Sequence, residues 1–297
     1  MVNLLPFSIV IINDKIYTNP KIVILPNFTD PVIFLLTTVV VFAIVTGRYF
    51  LIAGLFQLVF YKWQKQKWSG RWLGKKEVDK KQFYTEVKWS LITSLIFAFA
   101  GAFTAMLWQK GYTKLYTDIN KFSLWYLPVS LIFSMLIHET YYYWLHRWMH
   151  RPKVFKILHK VHHDSNTTSA WTAFSFHPME GLLQAIILPL TIMIIPMHLY
   201  VLILQLTLMT FSSVINHLEI ETYPANFHKH FIGKWLIGAT HHSLHHKQFR
   251  YNYGLYFTFW DKLKKTESPK FNSLFEEKTN PLLPVKKIED AEHSVLF

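Results

Sequence analysis

The chain has 297 residues, 16 of them His and none Cys, and its 31 Lys and Arg against 18 Asp and Glu leave a net charge of +13. Hydrophobic residues make up 51% and aromatics 17%, while charged residues reach only 16%, against roughly 25% in an average soluble domain. That composition excludes intrinsic disorder, a disulfide scaffold, thiolate zinc or iron–sulfur sites and collagen-like sequence; the mean hydropathy of +0.18 points to a membrane.

In chain order, Pro31 to Tyr61 is almost wholly apolar, broken only by Thr, Gly47, Arg48, Gly54 and Gln57. It exceeds the ~20 residues a span needs, so it reads as one long tilted helix or as a span with an interfacial extension. A second span is expected over Leu91–Trp108 and a third from Leu124 to about Leu145, with a Tyr141–Trp144 aromatic belt. Leu182–Val214 is apolar with Pro189 and Pro196 inside, which predicts a hairpin of two short helices turning near Pro196-Met197-His198. Neither arm is comfortably long enough for a full span.

Residues 62–88 hold nine Lys and Arg against Glu77, Asp79 and Glu86, so that loop is expected on the cytoplasmic side. Counting crossings then puts 146–180 and 215–297 on the same side. The first 30 residues lack a basic n-region and a small-residue cleavage site, so they do not read as a signal peptide. From about Glu267 the chain is polar and proline-containing and is expected as a mobile or surface-lying tail. The resulting expectation is an all-α membrane bundle of about four spans, one a hairpin, with a cytoplasmic histidine-rich helical cap. Its parts are 1–130 (membrane helices and basic loop), 131–266 (catalytic domain) and 267–297 (tail).

No His precedes residue 138, and fifteen of the sixteen lie in 138–246. His146-x-x-x-His150, His159-x-x-His162-His163 and His242-x-x-His245-His246 each put their imidazoles on one helix face, at about 100° per residue. Pro152 is expected to start a new helix between the first two sets. Glu139 falls on the same stripe as His146 and His150, where a carboxylate is a natural acceptor for a ligand's ring N–H. Many neutral imidazoles without a thiolate suit zinc, copper, nickel or non-haem iron. The number of sets is enough for two metals, and two irons held by eight or more His at a membrane surface suit dioxygen activation and attack on a lipid C–H bond.

His146-Arg-Trp-Met-His150, Leu158-His-Lys-Val-His-His163, Phe176-His-Pro-Met-Glu180, His241-His-Ser-Leu-His-His246 and Asn252-Tyr-Gly-Leu-Tyr-Phe-Thr-Phe-Trp-Asp261 occur in series. Together with Glu139 they resemble the fatty acid hydroxylase/sterol desaturase superfamily over roughly 135–265. Lys110–Asp118, Pro196-Met197-His198 and Gly238–His242 resemble its sterol C-5 desaturase (lathosterol oxidase) branch. The resemblance implies a membrane di-iron, dioxygen-dependent oxidoreductase. By motif, its metal ligands are His146, His150, His159, His162, His163, His217, His242, His245 and His246, with Glu139 and Glu180 as partners one bond further out. His177 is then a partner beyond the ligands or a gate, and His241 a ligand or a support for His242. Asp164 and Asp261 read as acceptors or helix caps. Two departures stand out: Glu139 replaces the family's usual Asp, and Lys265-Thr266 replaces Gly-Thr or Gly-Ser after the Trp-Asp pair. His138, His228 and His230 have no counterpart, and His138 and His198 read as structural.

The implied reaction is desaturation or hydroxylation of a sterol or related lipid; fatty acyl, sphingoid and ether lipids are alternative substrates. With no Gly-x-Gly nucleotide fingerprint, electrons must come from a separate carrier, and the basic face suits an acidic cytochrome or ferredoxin. The charge flanks spans instead of forming an aromatic-interleaved groove, which argues against nucleic acid. A reading from another class is a non-enzymatic membrane protein binding metal or haem; haem, however, needs one His per face at membrane depth, whereas these sets sit at span ends.

Overall fold

The structure, a computed structural model, describes residues 9–12, 15–18, 26–74 and 78–280. A short antiparallel pair, β1 (Ile9–Ile12) with β2 (Lys15–Thr18), precedes the helices. The rest of the first 25 residues and the segment beyond 280 lie outside the described residues, and with them the signal-peptide reading.

Helix α1 (Pro31–Phe56) starts where Asp30 accepts the N–H of Val32 and Ile33, with Pro31 at the first position. It continues as a wider helical turn over Gln57–Trp63. Its outer face, including Val32, Leu35 and Leu51, is exposed, whereas Val45, Tyr49, Ile52 and Ala53 are buried inward. Helix α2 (Lys80–Gln109), capped by Asp79, packs along α1 so closely that a Cβ on Gly101 would lie 3.0 Å from Val41 Cγ1. It begins eleven residues earlier than the apolar run indicates, so Glu86 is not a loop charge but a buried side chain inside the helix.

Helix α3 (Tyr126–Met149) buries His138, Glu139, Tyr142, Tyr143, His146 and Met149. The hairpin is present as α4 (Pro178–Ala185), α5 (Ile187–Ile194) and α6 (Leu199–Asn216), turning at the expected place. There β3 (Leu115–Tyr116) pairs in parallel with β4 (Met197–His198). His198 caps α6 by accepting the Tyr200 N–H at 3.0 Å. This places His198 at the end away from the other histidine sets.

Among the described residues, three helical segments are long and apolar enough to cross a membrane: Pro31–Trp63, Lys80–Gln109 and Leu199–Asn216. They carry the exposed apolar surface of an integral membrane protein. The count differs from the expected four in an informative way. Helix α3 has the length, but its second half carries polar and aromatic groups that face the protein. The first hairpin arm is broken between α4 and α5, whereas the second, α6, is a candidate span by itself.

The basic loop joins the histidine end. Trp72 bridges Ile220, and the Leu73 N–H donates to the Glu219 carbonyl at 3.0 Å. Helix α7 (Ala239–Gln248) is buried there from Ala239 through His246. The segment after Glu267 is not the expected mobile tail up to residue 280. Helix α8 (Phe271–Thr279) packs Phe271, Leu274 and Phe275 on Leu244 of α7, because an apolar triplet at helical spacing finds an apolar partner there.

Candidate metal centre

The nine expected ligands converge in two groups. His146, His150, His159, His163 and His245 form one, and His162, His217, His242 and His246 the other; within each group the candidate ligand atoms lie within 4.8 Å of one another. The groups cut across the sequence sets. Neighbouring helical residues splay by about 100°, so each His-His pair sends one ring to each group: His163 and His162 divide, as do His245 and His246. Helix α3 supplies His146 with His150 at its C-cap; the helical stretch 152–163, opened by Pro152 as expected, supplies three; the C-cap of α6 supplies His217; and α7 supplies the last three.

Ring orientation is fixed from outside. Nδ1–H groups donate outward from His146 to the Tyr253 carbonyl (2.8 Å), from His162 to Ser175 (3.2 Å), from His217 to Ser213 (2.7 Å) and from His245 to Tyr251 (2.7 Å). Each of these rings therefore points a bare Nε2 lone pair inward. Yet His162 Nε2 lies 3.2 Å from His217 Nε2, and neither has a proton to share. Such facing lone pairs repel unless a cation lies between them, so the donor set fits metal ions. Nitrogen-only groups of this size suit iron, zinc, copper or nickel.

Burial first, and then the crowding of imidazoles, keeps His159, His162, His163, His242 and His246 well below the ordinary histidine range; burial pushes His217 down to about 4. Neutral imidazole is the form that binds a metal.

Glu180 stands beside a ligand ring, its Oε1 2.9 Å from His159 Nδ1, but the angle leaves that Nδ1 without a hydrogen bond; burial raises the Glu180 pKa well above the usual carboxylate range. Glu139 does not touch a ligand ring. Its carboxylate accepts the backbone N–H of Leu255 (3.1 Å), Tyr256 (2.7 Å) and Phe257 (3.3 Å). Asp261 accepts the N–H of Tyr253 and Gly254, both at 3.0 Å. Two carboxylates thus pin the loop whose Tyr251 and Tyr253 carbonyls aim His245 and His146. The stripe argument placed Glu139 on the correct face but one link too close.

The remaining candidates stay outside both groups. His177 caps α4 by accepting the Met179 N–H at 3.3 Å, and His241 stacks on Phe271 with ring centroids 3.6 Å apart. His138 bonds the Tyr256 hydroxyl at 3.1 Å, and Asp164 pairs with Lys160 on the surface. Thr266 helps to hold the local turn that its departure from the family pattern put in question, through 2.7 Å to Asp261 Oδ1.

Three buried carboxylates were not singled out from the sequence. Glu86 accepts from Gln82, Ser165, Ser169 and Thr172 and so fixes the stretch after His163. Glu219 accepts from Thr168, Ser243 and Lys247, and Glu221 from the Thr240 N–H and hydroxyl at the start of α7. The available signal was the alternating Leu218-Glu219-Ile220-Glu221 directly after His217, acidic residues where the fold turns into the histidine end.

An apolar cavity opens beside the centre, with about 1070 Å³ of empty space, its mouth included. Tyr142 and Phe176 line it, and their rings lie 5.1 Å from His146 and 5.0 Å from His162.

Residues 131–266 match the fatty acid hydroxylase family, the family that the histidine motifs resemble. Among sterol-desaturating relatives, it is 34% identical to lathosterol oxidase of Homo sapiens over 191 residues, 62% of this chain and 60% of that protein. Identity is 33% to lathosterol oxidase of Mus musculus over 193 residues, 63% of this chain and 60% of that one. It is 32% to a Delta(7)-sterol 5(6)-desaturase of Gibberella zeae over 154 residues, 51% and 46%. The chain thus spans less than two-thirds of the length of these curated relatives. No solved structure matches it.

Proposed function

We propose that the protein is a membrane-bound, dioxygen-dependent oxidoreductase that desaturates a sterol or related lipid at an unactivated C–H bond. The observation that carries this reading is the pair of all-imidazole groups beside an apolar cavity. The sterol-desaturating relatives favour sterol over fatty acyl, sphingoid or ether lipid, and desaturation over hydroxylation.

Two non-haem irons, held by the five- and four-histidine groups, would supply the activation of dioxygen. The chain's own residues orient and dry the site. The Tyr251, Tyr253, Ser175 and Ser213 carbonyls keep protons on Nδ1 and lone pairs inward. Glu180 lies 2.9 Å from His159 Nδ1. Tyr142 and Phe176 wall the imidazoles with apolar rings and admit a hydrocarbon surface in place of water. Electrons come from a separate acidic carrier, a cytochrome or ferredoxin. The basic loop that joins the histidine end suits such a carrier. The positive-inside rule puts that end on the cytoplasmic side.

The test is metal analysis of detergent-purified protein with a His245→Ala control, followed by a mass-spectrometric screen of lipid products. About two irons per chain, reduced in the variant, together with a dehydrogenated lipid that the variant does not form, is the expected result. A haem absorption band, or full turnover in His245→Ala, would overturn the reading.

A further inference from the structure

Arg48 stands near the middle of the apolar segment Pro31–Trp63. A guanidinium at that depth is costly and ordinarily faces a partner. Here the side chain makes no hydrogen bond or ion pair among the described residues, and its Nε is buried. It lines the cavity, beside Val41 and Val45 of the same inward stripe.

The cavity is graded from polar to apolar. Along α6 its lining runs from Leu202 to Ser213, a rise of roughly 16 Å. The Ser213 carbonyl receives the His217 Nδ1–H, so that end abuts the four-histidine group. The Leu202 end meets Leu188, Pro189 and Ile192, all apolar. Arg48 belongs to the histidine end: the adjoining Tyr49 stacks on Phe174 at 5.2 Å, two residues from Phe176, whose ring faces His162. His138 and Gln184 line the same cavity, and Gln184 donates to Glu180 at 3.0 Å.

We propose that Arg48 is a specificity-determining residue whose guanidinium binds an acceptor oxygen on the head group of the lipid, holding the head at the histidine end while the apolar remainder runs towards Leu202. This rests on the lipid-oxidising function proposed above. A hydroxyl and a carboxylate share the chemistry, and each completes a charge-assisted hydrogen bond in an otherwise apolar space.

The experiment is equilibrium binding of radiolabelled lathosterol, palmitate and oxygen-free cholestane to the purified full chain. One oxygenated probe should bind more tightly than cholestane. Arg48→Met should weaken that probe by about ten- to a hundredfold and leave cholestane unchanged, and Arg48→Lys should recover part of the loss. A response to lathosterol assigns a hydroxyl head; a response to palmitate assigns a carboxylate. Equal binding of the oxygenated probes to wild type and Arg48→Met overturns the proposal, as does wild-type binding of cholestane as tight as that of both. If Arg48→Met does not fold, the wild-type ranking and Arg48→Lys decide. Binding needs no turnover. Arg48-dependent binding without any oxidised product in wild type sinks the proposed function alone, while undiminished turnover with unchanged KM in Arg48→Met sinks this inference alone.

Discussion

Gly254 sits where the backbone of the histidine-aiming loop passes closest to its carboxylate anchor. A Cβ there would lie 2.6 Å from the Phe257 carbonyl oxygen, 2.6 Å from Ile237 Cδ1 and 2.8 Å from Glu139 Oε1. The first of these is backbone and cannot swing aside. Gly254→Ala should therefore shift the loop, cost about 1–3 kcal/mol as overpacking does, and withdraw the Tyr253 carbonyl from His146. The expected outcome is a lowered Tm and loss of metal from the five-histidine group, with the four-histidine group still loaded; metal analysis of the variant checks it, and wild-type loading at both groups would refute it. The sequence marked this loop through Asn252-Tyr-Gly and Asp261. It did not reveal that Glu139 serves the same loop, because periodicity reports which residues share a helix face and not which backbone folds over that face. Eight of the nine imidazoles were legible from motif spacing, which fixes their faces, and His217 only from the family resemblance; their division between two groups depends on how the helices cross.

Among the elements, α8 departs furthest from sequence expectation. Prolines and charges around it suggest a solvated end, but Phe271, Leu274 and Phe275 repeat at three- and four-residue intervals and close over Leu244. Its effect reaches the site because Leu244 stands on α7 between His242 and His245. Phe275 is 1% exposed. Phe275→Ala should cost about 3–5 kcal/mol, the range for a fully buried phenylalanine, and loosen α7 with His242, His245 and His246. Thermal unfolding together with proteolysis near 239–248 measures this; a variant as stable and as resistant as wild type would restore the loose-tail picture. The long apolar helices α1 and α2 were readable from composition. The start of α2 was not, because Glu86 resembles a loop charge until three donors from elsewhere in the fold, Ser165, Ser169 and Thr172, surround it.

At the scale of the molecule, two demands meet at one end of the bundle: apolar helices bring an apolar cavity up to a cap that gathers nine imidazoles almost wholly away from water. Neutral rings can be buried in this way, and protonated ones cannot, so the metal-free protein must respond to acid. The relevant folded-state pKa values are lowered by burial, to about 4 for His217 and well below the usual range for most of the others. Unfolded imidazoles titrate near 6.5. Below that pH the unfolded chain binds more protons than the folded one, so stability is full above about pH 6.5 and falls as pH drops. Each such ring removes about 1.4 kcal/mol per pH unit until its folded value is reached. Glu180, Glu221 and Asp261, the last pushed up to about 6, work in the opposite direction, because burial makes their protonated forms the stable ones. The buried carboxyls, fewer than the nine imidazoles, offset only part of their effect. The Tm of chelator-treated protein should therefore fall steeply between pH 7.5 and 5.5. Iron added at pH 7.5 should raise the Tm, and that gain should shrink with acidification, since protons and metal compete for the same Nε2 atoms. A flat Tm profile over this range in the metal-free protein would mean that the imidazoles reach water or are already charged, which is incompatible with two buried metal groups.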